Sequence, residues 1–301
     1  MDLLQLKYFQ TVARLEHMTQ AARQLSIAQP SLSQMIARLE KELGVSLFDR
    51  QGRQLRLNQF GRAFLWHVEH ILGELEEAKQ EITDMAGTER GCIALAIVIP
   101  HILPDLLQTF LSDHPHVTFR LFHQHSSQTV LLQLEQGEID LCITSPPIEQ
   151  PNIEWITLMR DEIYLMVPPE HPLAKCKSID LHEVEQEPFI SLKPGHTMRT
   201  LTDSFCQQAG FTPKVAFEGD DSSTIRSLIT AGIGVGFASD LMLRGIPHPT
   251  ISVALHIKEP RCQRSIGLAW RKDHYLSLVA QQFRTFVIHY FKKMLSERSA
   301  I

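Results

Sequence analysis

The chain is 301 residues long, 44% hydrophobic and carries a net charge of −5, enough for two or three domains with ordinary cores. Its longest apolar run, Cys92 to Ile99, is far below the roughly 20 residues that span a bilayer, and no apolar h-region follows Lys7, so neither a membrane span nor a signal peptide is expected and a cytoplasmic location is. Five widely spaced cysteines without a C-x-x-C pair argue against a disulfide framework and a structural zinc.

Charge per segment says more than the total. Up to Arg62 nine basic residues stand against five acidic ones, whereas Ala63 to Gly87 holds six acids and one base. In this basic head, Leu3, Leu6, Phe9, Val12 and Ala13 recur at three and four residues, which predicts an amphipathic helix. Thr19 is expected to cap a second helix with Ala21, Ala22 and Leu25 inward. Pro30 suits the first turn of a third, whose buried face is Leu32, Ile36, Leu39 and Leu43 and whose end is Gly44. The second and third patterns meet at Ser26-Ile27-Ala28, so the helices must cross steeply.

The start of the third helix exposes Gln29, Ser31, Ser33 and Gln34, with Arg38 one turn on. Gln pairs with adenine, Arg with guanine or phosphate, and Ser with either kind of partner; a solvated polar face on a helical hairpin is the alternative. The segment "LFDRQGRQLRLN", Leu47 to Asn58, then alternates apolar and basic residues around Gly52 as a two-stranded wing does, which offers Arg50, Arg53 and Arg56 to phosphates.

From Phe60 to Met85 the residues Phe64, Leu65, Val68, Ile71, Leu72, Leu75, Ala78 and Ile82 keep to one stripe with the acids opposite, which predicts a helix over 58–86, roughly 40 Å long at about 1.5 Å per residue. Pairing with a second chain covers such a stripe, and packing on the chain's own body is the alternative. Two heads held so would read two half-sites.

After "GTERG", Gly87 to Gly91, strands alternate with helices, the α/β signature. "FLSDHPHVTFRLFHQHSSQTVLLQLEQGEIDLCIT" lies over "FCQQAGFTPKVAFEGDDSSTIRSLITAGIGVGFAS" without gaps, with Phe122 on Phe217, Ser127 on Ser222 and Gly137 on Gly232. Two such halves should face each other across a cleft at the carboxyl ends of their strands. Ser126, Ser127, Ser222 and Ser223 fall at helix N-termini, which favour an anion or simply need capping. Pro100, His101, Thr144, Ser145, Thr197 and Arg199 lie on neighbouring strand or loop ends, and Arg199 is expected to meet a ligand carboxylate.

The stretch from Leu6 to Leu65, with its A-A-x-x-L, Q-P-S-L-S, L-E-x-E-L-G and L-F-x-R segments, resembles the winged helix-turn-helix of the LysR-type transcriptional regulators. "EQGEIDLCI", "HPLA", "DSFCQQAGF" and "ITAGIGVGF" extend the resemblance nearly end to end. Asn58 and Phe60 stand where the family usually has Thr and Ala, and Asn58 can still cap the next helix.

The resemblance implies an N-terminal all-α winged helix-turn-helix (1–58), a linker or dimerisation helix (59–87) and an α/β effector domain (88–301) of two Rossmann-like subdomains, as in periplasmic binding proteins. Subdomain I is expected at 91–162 and 266–301 and subdomain II at 163–265, with crossover strands near Leu158 to Pro168 and Lys258 to Gly267. It further implies that Gln29, Pro30, Ser31, Ser33, Gln34 and Arg38 face the major groove, that Arg50 and Arg53 meet phosphate or the minor groove, and that a small-molecule effector, a carboxylate by our reading, fills the cleft. Double-stranded promoter DNA, RNA polymerase and a second copy in a homodimer or dimer of dimers are the expected partners, with no cofactor and no catalysis.

Other readings fit less well. H-E-x-x-H, G-x-S-x-G and a P-loop are absent, and "GIGVG" has Phe237 where a dinucleotide fold needs its third glycine. His114 with His116 and His123 with His125 sit at metal-ligand spacing on a strand, but no acid or cysteine completes a set. One branch of the family senses peroxide through a cysteine in G-H-C-L-R; here the stretch is "GHTMR", and Cys206, nine residues beyond Thr197, reads as a packed helix residue. A solute-binding protein or enzyme whose N-terminal helices only dimerise is the rival from another class.

Overall fold

The computed structural model describes residues 1–51, 54–85, 91–98, 102–123, 126–244 and 252–298. The chain divides into two compact units, Met1–Thr88 with Gln136–Glu138, and Glu89–Glu135 with Ile139–Ile301.

The first unit contains α1 (Leu3–Leu15), α2 (Met18–Gln24), α3 (Gln29–Leu43), the hairpin β1 (Phe48–Gln51) and β2 (Gln54–Leu57), and α4 (Gln59–Met85). A capping box starts α1: Gln5 N–H donates to Asp2 Oδ1 at 2.8 Å and Asp2 N–H to Gln5 Oε1 at 3.1 Å. Leu6, Phe9, Val12, Ala21, Ala22, Leu32, Ile36 and Leu39 form the core, and the two alanines let α1, α2 and α3 approach closely. Ser26 makes the turn between α2 and α3 at φ 54°, with Ile27 N–H donating to Ala22 O at 3.0 Å. Gly44 ends α3 at φ 73°, where glycine is at ease.

Thr19 is not the cap of α2; His17 is, its extended backbone starting the helix two residues earlier while its ring Nδ1 accepts Gln20 N–H at 3.3 Å. The apolar stripe of α4 also splits. Phe64, Leu65, Val68 and Leu72 pack into the head's own core, whereas Phe60, Ile71, Ile82 and Met85 stay exposed.

The second unit runs β3 (Cys92–Ile97), α5 (Leu103–Asp113), β4 (Thr118–His123), α6 (Ser127–Glu135), β5 (Leu141–Thr144), β6 (Ile153–Val167), β7 (Ser178–Ile179), β8 (Pro188–Leu192), α7 (Thr197–Gln208), β9 (Lys214–Gly219), α8 (Ser222–Thr230), β10 (Gly236–Ser239), α9 (Asp240–Arg244), β11 (Val253–Ile257), β12 (Gln263–Arg271) and α10 (Leu278–Arg298). The large sheet is ordered β4-β3-β5-β12-β6-β11-β7 with β10 also on β6, and β8 pairs with β9. β3 runs parallel to β4 and β5, whereas β12, β10 and β11 are antiparallel to β6.

The internal echo is visible in the elements. α6 and α8 have nine residues each and open at Ser127 and Ser222, and the turns that follow use Gly137 at φ 68° and Gly232 at φ 81°. The long strands β6 and β12 carry the chain between the halves. Up to Glu162, β6 pairs with β12; from Ile163 it pairs with β10. One core, around Leu95, Phe110, Ile143, Leu268 and Phe283, lies on the first side of that switch, and another, around Leu165, Phe189, Cys206 and Leu255, on the second.

Candidate functional site

Two surfaces gather functional side chains, and each is built by local sequence. On α3, burial of Leu32, Ile36 and Leu39 turns Ser31, Gln34 and Arg38 outward at i, i+3 and i+7 as one stripe, with Gln29 and Pro30 exposed at its start and Ser33 half-buried beside it. Among the described residues none of the side chains of Gln29, Ser31, Gln34 and Arg38 has an internal partner. Thr19 is exposed in the first turn of α2.

Several other polar groups of the head are engaged. Glu40 Oε1 accepts Leu47 N–H at 2.7 Å and so fixes the start of the wing to α3. Glu16 accepts Leu57 N–H at 2.8 Å and Arg56 Nη1 at 3.1 Å, so Arg56 is tied to the head rather than free for phosphate. Asn58 caps α4 by accepting Gly61 N–H at 2.9 Å and donates to Ser46 O at 2.8 Å. Arg14 donates from Nε and Nη2 to Glu69 Oε1 at 3.2 and 3.0 Å, pinning α1 to α4; burial raises the Glu69 carboxyl against the pull of Arg14. Arg50 lies on β1 opposite Leu55, and Arg53 falls outside the described residues.

In the second unit a cleft of about 480 Å³ opens between the halves. Ser145, Thr197 and Arg199 line it, and His123 stands at its wall. Thr144 is buried beneath it, because β5 runs between β3 and β12 and only the residue past its end emerges. Ser126 and Ser127 are half-buried at the start of α6 and do not line the cleft; Ser127 Oγ lies 3.4 Å from Thr197 Oγ1. Pro100, His101 and His125 fall outside the described residues.

Arg199 does not await a ligand. Its Nε donates to Asp203 Oδ2 at 2.7 Å and its Nη1 to Leu192 O and Glu218 Oε1, each at 2.8 Å, which satisfies the guanidinium within the fold. The N-terminus of α8 is taken as well. Asp221 accepts Ser223 N–H and Thr224 N–H at 2.9 Å and both hydroxyls at 2.5 and 2.6 Å, and these four bonds hold its carboxyl well below the usual range. A ligand carboxylate cannot occupy the same donors.

Sequence reasoning missed Arg226, which stands in the cleft wall one turn beyond Ser222, and the apolar floor of Met166, Ile190, Ile225, Ile229, Phe237 and Met242. The spacing Ser222-x-x-x-Arg226 carried the signal. Cys206 and Cys262 are buried, with thiols pushed up to about 12 chiefly by burial, which makes them inert. His114 closes α5 and stacks on Phe110 at 4.4 Å. Among the described residues no three His, Cys, Asp or Glu side chains could hold a metal ion, and no helix is long and apolar enough to cross a membrane.

Comparison with known proteins places both parts of the chain in one family. Residues 3–62 match the bacterial regulatory helix-turn-helix protein of the lysR family, and residues 87–292 match the LysR substrate binding domain. The uncharacterized HTH-type transcriptional regulator YybE of Bacillus subtilis (strain 168) is 40% identical over 97% of this chain and 100% of its own length. The transcriptional dual regulator GltC of the same organism is 34% identical over 98% and 99%. Full-length CbnR in complex with its target DNA superposes with a TM-score of 0.69 at 25% identity, over 96% of this chain and 99% of that one. With a helix-turn-helix at its head and a ligand-binding fold behind it, this chain belongs to the LysR family and is a transcriptional regulator rather than an enzyme.

Proposed function

We propose that the regulator reads promoter DNA with α3 in the major groove, through Gln29, Pro30, Ser31, Ser33, Gln34 and Arg38, while Thr19, Arg50 and Arg53 meet the backbone. The unpartnered stripe Ser31, Gln34 and Arg38 carries this reading, since polar side chains held outward and left unpaired are free to bond to base edges. The division into a head (1–58), a linker (59–87) and an effector domain (88–301) goes with it. Within the effector domain we place subdomain I at 91–162 and 266–301 and subdomain II at 163–265, with β6 and β12 as the crossovers; the exchange of β6's partners at Glu162 and Ile163 supports that split.

In the same reading a small molecule in the cleft favours one arrangement of the two subdomains. A ligand that binds one arrangement more tightly shifts the population by its difference in affinity, and a few kcal/mol suffice. The exposed part of α4 joins two chains, so two heads meet two half-sites, and a changed arrangement alters DNA bending at the RNA polymerase site. The protein works in the cytoplasm, where the promoter is.

The test is binding of the full chain to its own upstream intergenic DNA at several salt concentrations, against a scrambled duplex. Tight, sequence-selective binding that weakens steeply with salt is expected. Equal affinity for both duplexes at every salt concentration overturns the assignment of α3.

A further inference from the structure

The charge left unspent in the cleft belongs to Arg226. α8 turns Ser222, Ile225, Arg226 and Ile229 toward the cleft, at i, i+3, i+4 and i+7. Arg226 is half-buried and, among the described residues, makes no ion pair and no hydrogen bond. The two other guanidiniums of the cleft are neutralised, Arg199 by Asp203 and Glu218 and Arg264 by Asp161. Acids on the same wall are also engaged: Asp221 caps α8, and Asp220 accepts from Lys193 Nζ at 2.8 Å.

The opposite half supplies a second unspent group. Ser145 is 3% exposed, lines the cleft just past the end of β5, and its hydroxyl has no partner among the described residues. A hydroxyl and a half-buried guanidinium that face the cleft without a partner in the fold are both free to bond to a ligand there. Between them the floor is apolar, with Ile225, Ile229, Met166 and Ile190 in one cluster.

We infer that the effector is a small organic carboxylate with an apolar body, whose acid group pairs with Arg226 and which accepts or donates a hydrogen bond at Ser145. A planar carboxylate matches the guanidinium fork, and one cation beside apolar walls suits a single negative charge better than a phosphate dianion. Because Ser145 and Arg226 come from different halves, a ligand that engages both holds the halves together. The inference rests on the reading of the cleft as the effector site.

The test uses the full chain, with C4 to C9 aliphatic and aromatic monocarboxylates each measured beside its own primary amide, and inorganic phosphate as a further arm. Binding is read by calorimetry and by thermal shift. At least one carboxylate is expected to bind, with its amide weaker by about 30-fold or more. Arg226→Gln should lose a similar factor, Arg226→Lys should retain part of the affinity, and Ser145→Ala should cost about 5-fold. DNA affinity without ligand should stay within about 2-fold in all three variants, which establishes that they fold.

A carboxylate that binds Arg226→Gln as tightly as the wild type, yet is excluded by Leu243→Trp in the cleft wall, overturns the anchor and leaves the cleft reading standing. A ligand indifferent to Leu243→Trp overturns the cleft reading itself. Amides binding as well as acids, phosphate binding in their place, or no carboxylate binding at all, overturns the ligand class.

Discussion

Asp161 and Arg264 face each other directly across β6 and β12, one residue pair before β6 leaves β12 for β10. The carboxylate Oδ2 accepts Arg264 Nε at 2.9 Å and Nη2 at 2.8 Å, while Oδ1 accepts Leu241 N–H at 3.1 Å. Asp161 is 1% exposed. A buried pair satisfied on every side is tolerated, but a buried charge stripped of its partner is not. Asp161→Asn should therefore lower the stability of the second unit by about 3 to 5 kcal/mol, measured by urea unfolding. Adding Arg264→Met should restore part of the loss, since it removes the orphaned charge. A double variant less stable than Asp161→Asn alone would show that the pair's worth lies elsewhere.

Asp221 makes a pH-dependent contribution of the opposite sign to a buried carboxyl. Its four hydrogen bonds depress its folded-state value, so the stabilisation is complete above the ordinary aspartate value of about 3.9 and is lost as pH falls through the folded one. The gap in thermal midpoint between wild type and Asp221→Ala should stay constant from about pH 8 to pH 5 and close only in stronger acid. Asp221→Asn keeps the cap without the titration, so its midpoint should not share that acid-dependent loss.

Much of the fold was legible because it is decided locally. Gly137 and Gly232 both take positive φ after helices of equal length, and the echo between the halves needed only serines, turns and apolar periods to be seen. The errors lie where a distant segment decides. Arg199 looked available until Glu218, brought in by β9, joined the nearby Asp203. Thr144 looked like a cleft residue until β12 covered the strand that carries it. Likewise the stripe of α4 was read as one surface, although Val68 and Leu72 turn to a core that only α1 and its neighbours could supply.

Ser26 offers a gain in stability. A non-glycine residue at φ 54° costs roughly 1 to 2 kcal/mol, and glycine returns about half of that as greater freedom of the unfolded chain. Ser26→Gly should stabilise the head by about 0.5 to 1 kcal/mol in chemical unfolding, with the crossing of α2 and α3 and the DNA footprint unchanged.

Base-reading and phosphate-binding side chains are separable in the head. Gln34→Ala and Gln29→Ala should each relax preference at one operator position, by about 1 to 3 kcal/mol. Arg50→Gln and Arg53→Gln should weaken all sequences alike and lower the slope of log K against log salt by roughly 0.9 for each phosphate that is no longer neutralised. Arg56→Gln is the internal control. Its guanidinium already bonds to Glu16, so the salt slope should change little.

The free part of α4 sets the last prediction. Ile71, Leu75, Ala78, Ile82 and Met85 follow one another at four, three, four and three residues, the spacing of a two-stranded seam, and Ile82 and Met85 are 68% and 82% exposed. None of the four residues that α4 gives to the head core belongs to this set. Substitution there should accordingly spare the fold of the head and act on association alone. Ile82→Glu combined with Ile71→Glu places like charges along the seam, and light scattering should report half the mass of the wild type with an unchanged far-ultraviolet spectrum. Affinity for a two-half-site operator should fall by about 100-fold or more, because the second head loses its tether, while affinity for an isolated half-site should hold. Unchanged mass would move the interface between copies off α4.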